Sequence, residues 1–391
     1  MISVSEAIRL IKKHAIHSNS GEVPLLDALG CVAAESILAL TDTPPFDNSA
    51  MDGYAFSYEH WDKTSPLKIV GEIQAGTKSD YTLKTQEASR IFTGAPVPEG
   101  ADTVVMQEKT DRKENLLIIT DPNIQANLNI RPQGSQTKQG DLALSKDQLI
   151  TPATISYLAG MGLDKIKVYK KPTVGIILTG KELIKPGQTL EKGKIYESNG
   201  IGLQAALRNL HIETASILTV DDKEEELVNA IKKMMYFDIL ILTGGVSVGE
   251  YDLVPAALEQ CGVKKVFHKI KQKPGKPIYF GVHSKGIVFG LPGNPAAVMS
   301  SFYYYIQTAI GLFMKRDLVK KIELPLDKEY TKRPGLTYFL NGKTTQTGVE
   351  ILSSQLSYML NSFAVADCLV ELEEDKEFFE KGTLVDVLKF I

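Results

Sequence analysis

The sequence predicts a multidomain protein of mixed α/β and β character. A doubly wound α/β domain occupies its centre, and separate β-rich domains lie before and after it. Three observations predict this. Between residues 169 and 316, apolar runs suited to buried strands alternate with helical periods across short loops. From 46 to 140, and again from 317 to 391, the pattern changes to short runs broken by turn residues. The chain has 391 residues, room for roughly two to three domains of ordinary size.

Taken in order, residues 1–40 read as helix, turn and short helix. Ser3-Val4-Ser5-Glu6 fits a capping box that opens the first helix. Residues 46–140 carry short runs at Leu67–Val70, Arg90–Thr93, Thr103–Gln107 and Leu116–Thr120, as in a small antiparallel domain. Thr151-Pro152 reads as an N-cap with proline at the first helical position, for a helix ending near Ala159. In character this helix matches the first segment. Residues 1–45 and 141–168 are therefore expected to form one linking domain, with 46–140 inserted in it.

From Lys171 the texture changes. Thr173–Leu178 is a continuous apolar run, as in a strand buried on both faces. Helix is expected at Ile201–Leu210, strand at Ala215–Val220, helix at Lys223–Met235 and strand at Asp238–Thr243. Helix at Leu253–Gln260 and strand at Ile287–Leu291 follow, then a helix after Pro295. Alternation of this kind implies a parallel sheet with every strand's carboxyl end on one edge, where ligands bind. Short strands resume at Lys321–Pro325, Thr337–Asn341, Val349–Leu352, Cys368–Leu372 and Leu384–Leu388, a small C-terminal β domain.

Composition excludes several classes. A net charge of −3 argues against a general binder of nucleic acid or anionic membrane. No apolar run reaches the roughly 20 residues that span a bilayer. The first residues lack the order of a signal peptide, so a cytoplasmic location is expected. Cys31, Cys261 and Cys368 are an odd, scattered set, which reads as reduced thiols. The six histidines form no HExxH or HxxxH pair, so a zinc site is not expected.

Four loops at strand ends carry the chemistry. Thr243-Gly244-Gly245-Val246-Ser247-Val248-Gly249-Glu250-Tyr251-Asp252 is glycine-rich, and Gly244, Gly245, Ser247 and Gly249 read as a cradle for a phosphate-bearing ligand. It is not a Walker loop, since no GxxxxGK[ST] occurs. Lys273-Pro274-Gly275-Lys276-Pro277 sets two lysines in a turn framed by prolines. Paired lysines commonly mark a solvated face, but the rigid framing favours a fixed cationic site. Gly290-Leu291-Pro292-Gly293-Asn294-Pro295 enters the last helix. Carboxylates stand on matching loops: Glu182, Asp221 with Asp222, and Glu250 with Asp252. Each alone reads as a helix-start residue. Together, beside a phosphate cradle, they suggest Mg²⁺. No arrangement for a covalent nucleophile is legible. An earlier loop, Pro44-Pro45-Phe46-Asp47-Asn48-Ser49-Ala50-Met51-Asp52-Gly53-Tyr54-Ala55, is turn-rich yet carries Phe46, Met51 and Tyr54. It reads as a loop pinned by apolar anchors to present its carboxylates.

PPFDNSAMDGYA, IFTGAPVPEGADTVVMQE, LTGGVSVGEYD, KPGKP and GLPGNP occur in this order over nearly the whole chain. Together they resemble the molybdopterin molybdenumtransferase family, known as MoeA in bacteria and related to the gephyrin E domain. The resemblance implies an elongated homodimer of four-domain subunits whose third domain is similar to molybdopterin adenylyltransferases. It implies an enzyme of molybdenum cofactor biosynthesis that takes adenylylated molybdopterin and molybdate, uses Mg²⁺, and releases AMP. A molybdopterin adenylyltransferase is the implied donor of its substrate.

The resemblance also assigns residues. Asp52, Glu182 and Asp221 match acidic active-site positions, with Glu182, Asp221 and Asp252 as the implied metal ligands. Ser247, Asp252, Lys273, Lys276 and Pro277 match positions lining the molybdate and substrate pocket. Pro292 and Asn294 in the GLPGNP loop, and Ser357, are further substrate-binding candidates. Asp52 comes from a distant part of the chain, so it is expected to complete the site across a dimer interface. Several positions depart from the family pattern. Lys181 and Gln136 replace acids, Ala296-Ala297 replaces Val-Ser, and Leu336 and Leu340 stand where arginines are expected. Leu356 replaces the glycine of a Gly-Ser step. Those departures keep open a non-catalytic relative that binds or scaffolds. The third domain alone keeps open an adenylyltransferase or nucleotide hydrolase.

Overall fold

The computed structural model describes residues 1–15, 19–77, 80–246 and 253–390, with the backbone alone at 214 and 215. These fall into two compact units. One contains residues 1–23, 28–34 and 167–391, and the other contains 24–27 and 35–166.

In the larger unit, the apolar runs become the centre of a six-stranded sheet. Its order is Thr214–Val220, Val174–Thr179, Ile239–Thr243, Ile287–Leu291, Tyr279–Val282, Lys264–His268. The first four strands are parallel. Every residue of Val174–Thr179, Ile239–Thr243 and Ile287–Leu291 is buried, as helices on both faces require. The period of two sorts them. Ile176, Leu178, Ile239 and Ile241 pack with Leu203 and Leu207 of the helix Asn199–Asn209 and with Val298, Phe302 and Ile310. Ile177, Leu240 and Leu242 face the other way, onto Leu227 and Ile231 of the helix Glu224–Met234 and Ala257 and Leu258 of Val254–Gln260.

Not every strand is parallel, and here the expectation is corrected. Tyr279–Val282 pairs antiparallel with Ile287–Leu291, and Lys264–His268 antiparallel with Tyr279–Val282. The connection between the first pair is only residues 283–286, closed by His283 N–H donating to the Gly286 carbonyl at 3.0 Å. A turn that short cannot make the crossover a parallel pair needs. The consequence is functional. Tyr279 sits beside Gly290, so the start of this strand lies on the edge where the parallel strands end. The loop Lys273–Pro277 that precedes it therefore reaches that edge, which a parallel strand would have denied it.

The C-terminal sheet runs Gln272–Lys273, Thr337–Thr344, Cys368–Leu372, Leu384–Lys389, Lys321–Pro325. Its own core includes Leu340, Val370 and Val387, while Phe339, Leu369 and Leu388 join the core of the α/β layer. Tyr304 and Phe339 rings lie 4.5 Å apart across that junction.

Near the N-terminus, Val4–His14 is helical, with Ser3 Oγ accepting from Glu6 N–H at 3.1 Å. Half of the expected capping box forms. The Glu6 carboxylate turns instead to Arg9, at 2.6 and 2.7 Å. The expected second short helix is a single 3₁₀ turn, Leu25–Ala28, because proline precedes it and Gly30 at φ +74° follows.

The smaller unit holds another six-stranded sheet, ordered Thr103–Met106, Gly53–Phe56, Glu87–Ile91, Leu67–Ile73, Leu116–Ile119, Thr110–Lys113. It is not wholly antiparallel, since Leu67–Ile73 and Glu87–Ile91 run parallel. Thirteen residues separate them, long enough for a crossing connection. Tyr54 and Phe56 face one core with Trp61, and Ala55 faces the other with Ile91 and Val104. Pro152–Gly160 is helical, capped by Thr151 as its sequence predicts.

Candidate active site

A cleft of about 1030 Å³ opens on the carboxyl edge of the α/β sheet. The loops after Val174–Thr179, Ile239–Thr243 and Ile287–Leu291 all line it, and so does Lys273–Pro277. It thus gathers Glu182, Gly244, Gly245, Lys273, Lys276, Pro277, Pro292, Asn294 and Ser357 from the sequence-predicted set. Ser247, Gly249 and Asp252 lie outside the described residues.

Gly244 has φ +89°, and a Cβ there would stand 2.5 Å from Thr179 Oγ1 and 2.7 Å from the Thr179 carbonyl oxygen. Only glycine lets the turn approach the neighbouring strand end so closely. Its N–H is already committed, donating to the Leu291 carbonyl at 3.0 Å. Gly244 therefore shapes the cleft rather than offering a free donor, a correction to its reading as part of an N–H cradle.

Lys273 and Lys276 are both exposed at the cleft. Lys273 Nζ lies over the Tyr338 ring, 5.1 Å from its centroid. The residues Gln272–Lys273 extend the C-terminal sheet in parallel with Thr337 and Tyr338, which fixes where the turn begins. Asn294 Nδ2 donates to Ser357 Oγ at 2.9 Å, and Ala296 N–H to the Ser357 carbonyl at 3.0 Å. Asn199 Nδ2 donates to the Gly293 carbonyl at 2.9 Å.

The carboxylates divide. Glu182 lines the cleft, close over Gly180, where a Cβ would meet its Oε1 at 2.8 Å. Asp221 does not line it; its carboxylate pairs with Lys223 at 3.6 Å, and its neighbour Asp222 faces the cleft instead. Among the described residues no three metal-ligating side chains cluster. A cation here would rest on one or two carboxylates with ligand oxygens completing its shell, an arrangement Mg²⁺ accepts.

Asp52 belongs to the smaller unit. Its Oδ1 accepts from Thr93 N–H and from Thr93 Oγ1, both at 2.8 Å. These bonds, the backbone one foremost, hold its pKa below the usual carboxylate value, with Arg90 adding a smaller effect. Arg90 is itself set over the Tyr54 and Phe92 rings and donates to the Gly53 carbonyl at 3.0 Å. The surrounding loop is pinned, but not as expected. Phe46 and Met51 are 43% and 42% exposed, and only Tyr54 is an apolar anchor. Hydrogen bonds do the rest: Ser49 exchanges two backbone bonds with Ala95 and Gly94, and Asp47 Oδ1 accepts from Gln133 N–H at 2.6 Å.

Of the departing positions, Ala297, Leu336 and Leu356 line the cleft, whereas Leu340 is buried in the C-terminal core. Sequence reasoning missed Tyr196, Asn199, Gln272, Gln355 and Tyr358, all of which line the cleft. Gln272 directly precedes the lysine turn, a signal that was available.

Family models match almost end to end. Residues 2–162 match "MoeA N-terminal region (domain I and II)", residues 175–311 "Probable molybdopterin binding domain", and residues 323–390 "MoeA C-terminal region (domain IV)". A molybdopterin molybdenumtransferase of Haemophilus influenzae is 33% identical over 375 residues, covering 94% of this chain and 93% of that protein. One from Staphylococcus aureus is 34% identical over 399 residues, covering 99% and 95%. A crystal structure of a molybdopterin biosynthesis MoeA protein from Pyrococcus horikoshii superimposes with a TM-score of 0.79 at 30% identity, covering 100% of this chain and 99% of that one. With these matches joined to the cleft and its motif loops, the chain belongs to the molybdopterin molybdenumtransferase (MoeA) family of molybdenum cofactor biosynthesis enzymes.

Proposed function

We propose that this protein inserts molybdenum from molybdate into adenylylated molybdopterin and releases AMP with the help of Mg²⁺. The observation that carries the reading is the convergence of the Lys273–Pro277 turn, the Gly244-Gly245 turn and the Pro292–Asn294 turn on one cleft. Lys273 and Lys276 supply two positive charges for a tetrahedral oxyanion. Each unit-charge pair at about 4 Å contributes roughly 1 kcal/mol in water and about 4 kcal/mol in a partly enclosed site. Asn294, held by Ser357, and the Gly245 turn hold the pterin phosphate and nucleotide end. Glu182 and Asp222 hold the cation, with Asp221 and Asp252 as further candidates. Mg²⁺ supplies charge neutralisation on the pyrophosphate that breaks.

Asp52 acts as an ionised carboxylate, kept so by Thr93. The protein works as a cytoplasmic homodimer and receives its substrate from a molybdopterin adenylyltransferase; family resemblance supports these points. The test is direct. Purified protein with adenylyl-molybdopterin, molybdate and Mg²⁺ should release AMP, and release no faster than a protein-free blank overturns the reading.

A further inference from the structure

The lysine turn is backed by a buried side chain that no motif includes. Gln272 is 1% exposed and Tyr305, on the helical segment after Pro295, is fully buried. The Tyr305 hydroxyl donates to Gln272 Oε1. Gln272 Nε2 donates to the Pro274 carbonyl at 2.9 Å and to the Gly275 carbonyl at 3.3 Å. The next carbonyl, that of Lys276, accepts from Ile270 N–H at 2.9 Å and Ile278 N–H at 3.1 Å. Three successive carbonyls of the turn are thus drawn into the protein body.

This fixes more than position. In a trans peptide the C=O and N–H point in opposite directions. With the Pro274 and Gly275 carbonyls bound to Gln272, the N–H groups of Gly275 and Lys276 lie on the side away from it. Neither N–H has a protein acceptor among the described residues. Gly275 has φ +81°, and its residue and Lys276 both line the cleft. Adjacent free N–H groups about a left-handed residue form a concavity that binds anions.

The geometry points to Gln272 and Tyr305 as positioning residues for the oxyanion. Their hydrogen bonds turn the Gly275 and Lys276 N–H groups outward and hold the two lysines in register with them. Tyr305 does not line the cleft, and Gln272, which does, is only 1% exposed there. The Gln272 amide is engaged at both ends, with Oε1 accepting once and Nε2 donating twice. A buried amide so satisfied is costly to replace by a group that leaves carbonyls unpaired. This inference rests on the proposed function, in which the turn binds molybdate.

The test uses the full-length protein and AMP release at varied molybdate and varied adenylyl-molybdopterin. Gln272→Met keeps the volume and removes the hydrogen bonds. It should raise the KM for molybdate about tenfold, the scale of one or two lost bonds. The KM for the adenylylated pterin should stay as in the wild type. Tyr305→Phe removes one hydroxyl and should shift the molybdate KM the same way, by about threefold. A folded Gln272→Met protein with unchanged molybdate KM, or with both KM values raised alike, overturns the inference. If that variant does not fold, Tyr305→Phe decides, and an unchanged molybdate KM there overturns it. Lys276→Ala separates the two levels. If it loses molybdate affinity while Gln272→Met does not, the positioning role fails and the turn's function stands. If Lys276→Ala binds molybdate like the wild type, the turn is not the anion site and both fail.

Discussion

Asn294 donates to Ser357 across 2.9 Å, so the turn that opens the last helix of the α/β layer is held by a segment of the C-terminal region. The same segment takes a second bond through the Ser357 carbonyl from Ala296 N–H. Ser357→Ala removes only the side-chain bond and keeps the backbone one. Between partly exposed groups this loss costs about 0.5–1.5 kcal/mol. The thermal midpoint should fall slightly while the KM for adenylyl-molybdopterin rises several-fold. Steady-state AMP release beside a melting curve checks both.

Lys273→Ala and Lys276→Ala should each raise the molybdate KM about tenfold, with the double variant worse. Both side chains are exposed, so the wild-type KM should also rise with salt, and less steeply in the variants. Titrating molybdate at low and high ionic strength reads both effects.

Asp52→Asn should lower turnover at least about 100-fold, the scale of a lost charged catalytic group, in a protein that still folds. Thr93 lowers the Asp52 pKa in the folded protein. Any stability the group contributes is therefore present above its unfolded pKa and is lost as pH falls through the lower folded value. Activity that needs the carboxylate should persist into acid below the usual carboxylate range. Thr93→Val keeps the backbone donor and loses the hydroxyl, so the acid limb of the kcat/KM profile should move to higher pH.

Gly244→Ala places a methyl group 2.5 Å from Thr179 Oγ1 and forces a side chain into φ +89°. The strained backbone alone costs about 1–3 kcal/mol. Urea unfolding should show that loss, and AMP release should fall with it because the cleft floor shifts.

Leu336, where the resemblance led us to expect an arginine, lines the cleft, and its carbonyl accepts from the buried Lys332 ammonium at 3.0 Å. Leu336→Arg keeps that carbonyl and adds a charge beside the lysine turn. It should lower the molybdate KM roughly threefold at low salt, an advantage that disappears at high salt.

Much of this was legible from the residues. The continuous apolar run Thr173–Leu178 announced a strand buried on both faces and Asp238–Thr243 announced a strand, and every residue of Val174–Thr179 and Ile239–Thr243 is buried. The glycine, lysine and GLPGNP turns were legible because their residue types serve backbone geometry and charge, and the cleft brings them together. Phe46 and Met51 misled, since apolar residues in a turn imply anchoring only if the fold covers them. The resemblance singled out Asp221, yet its neighbour Asp222 is the one that lines the cleft, because adjacent loop residues differ in which way each side chain falls.

The sequence by itself determined the family, the layered α/β centre and the identity of the chemical loops. Hydrophobic pattern reports burial, and turn residues report where the chain bends. Only the tertiary structure decided strand direction at Tyr279–Val282, and with it the arrival of Lys273 and Lys276 at the ligand edge. It alone paired Gln272 with Tyr305, 33 residues apart. Long-range pairing depends on how elements meet in space, and the local pattern of a chain carries no record of that.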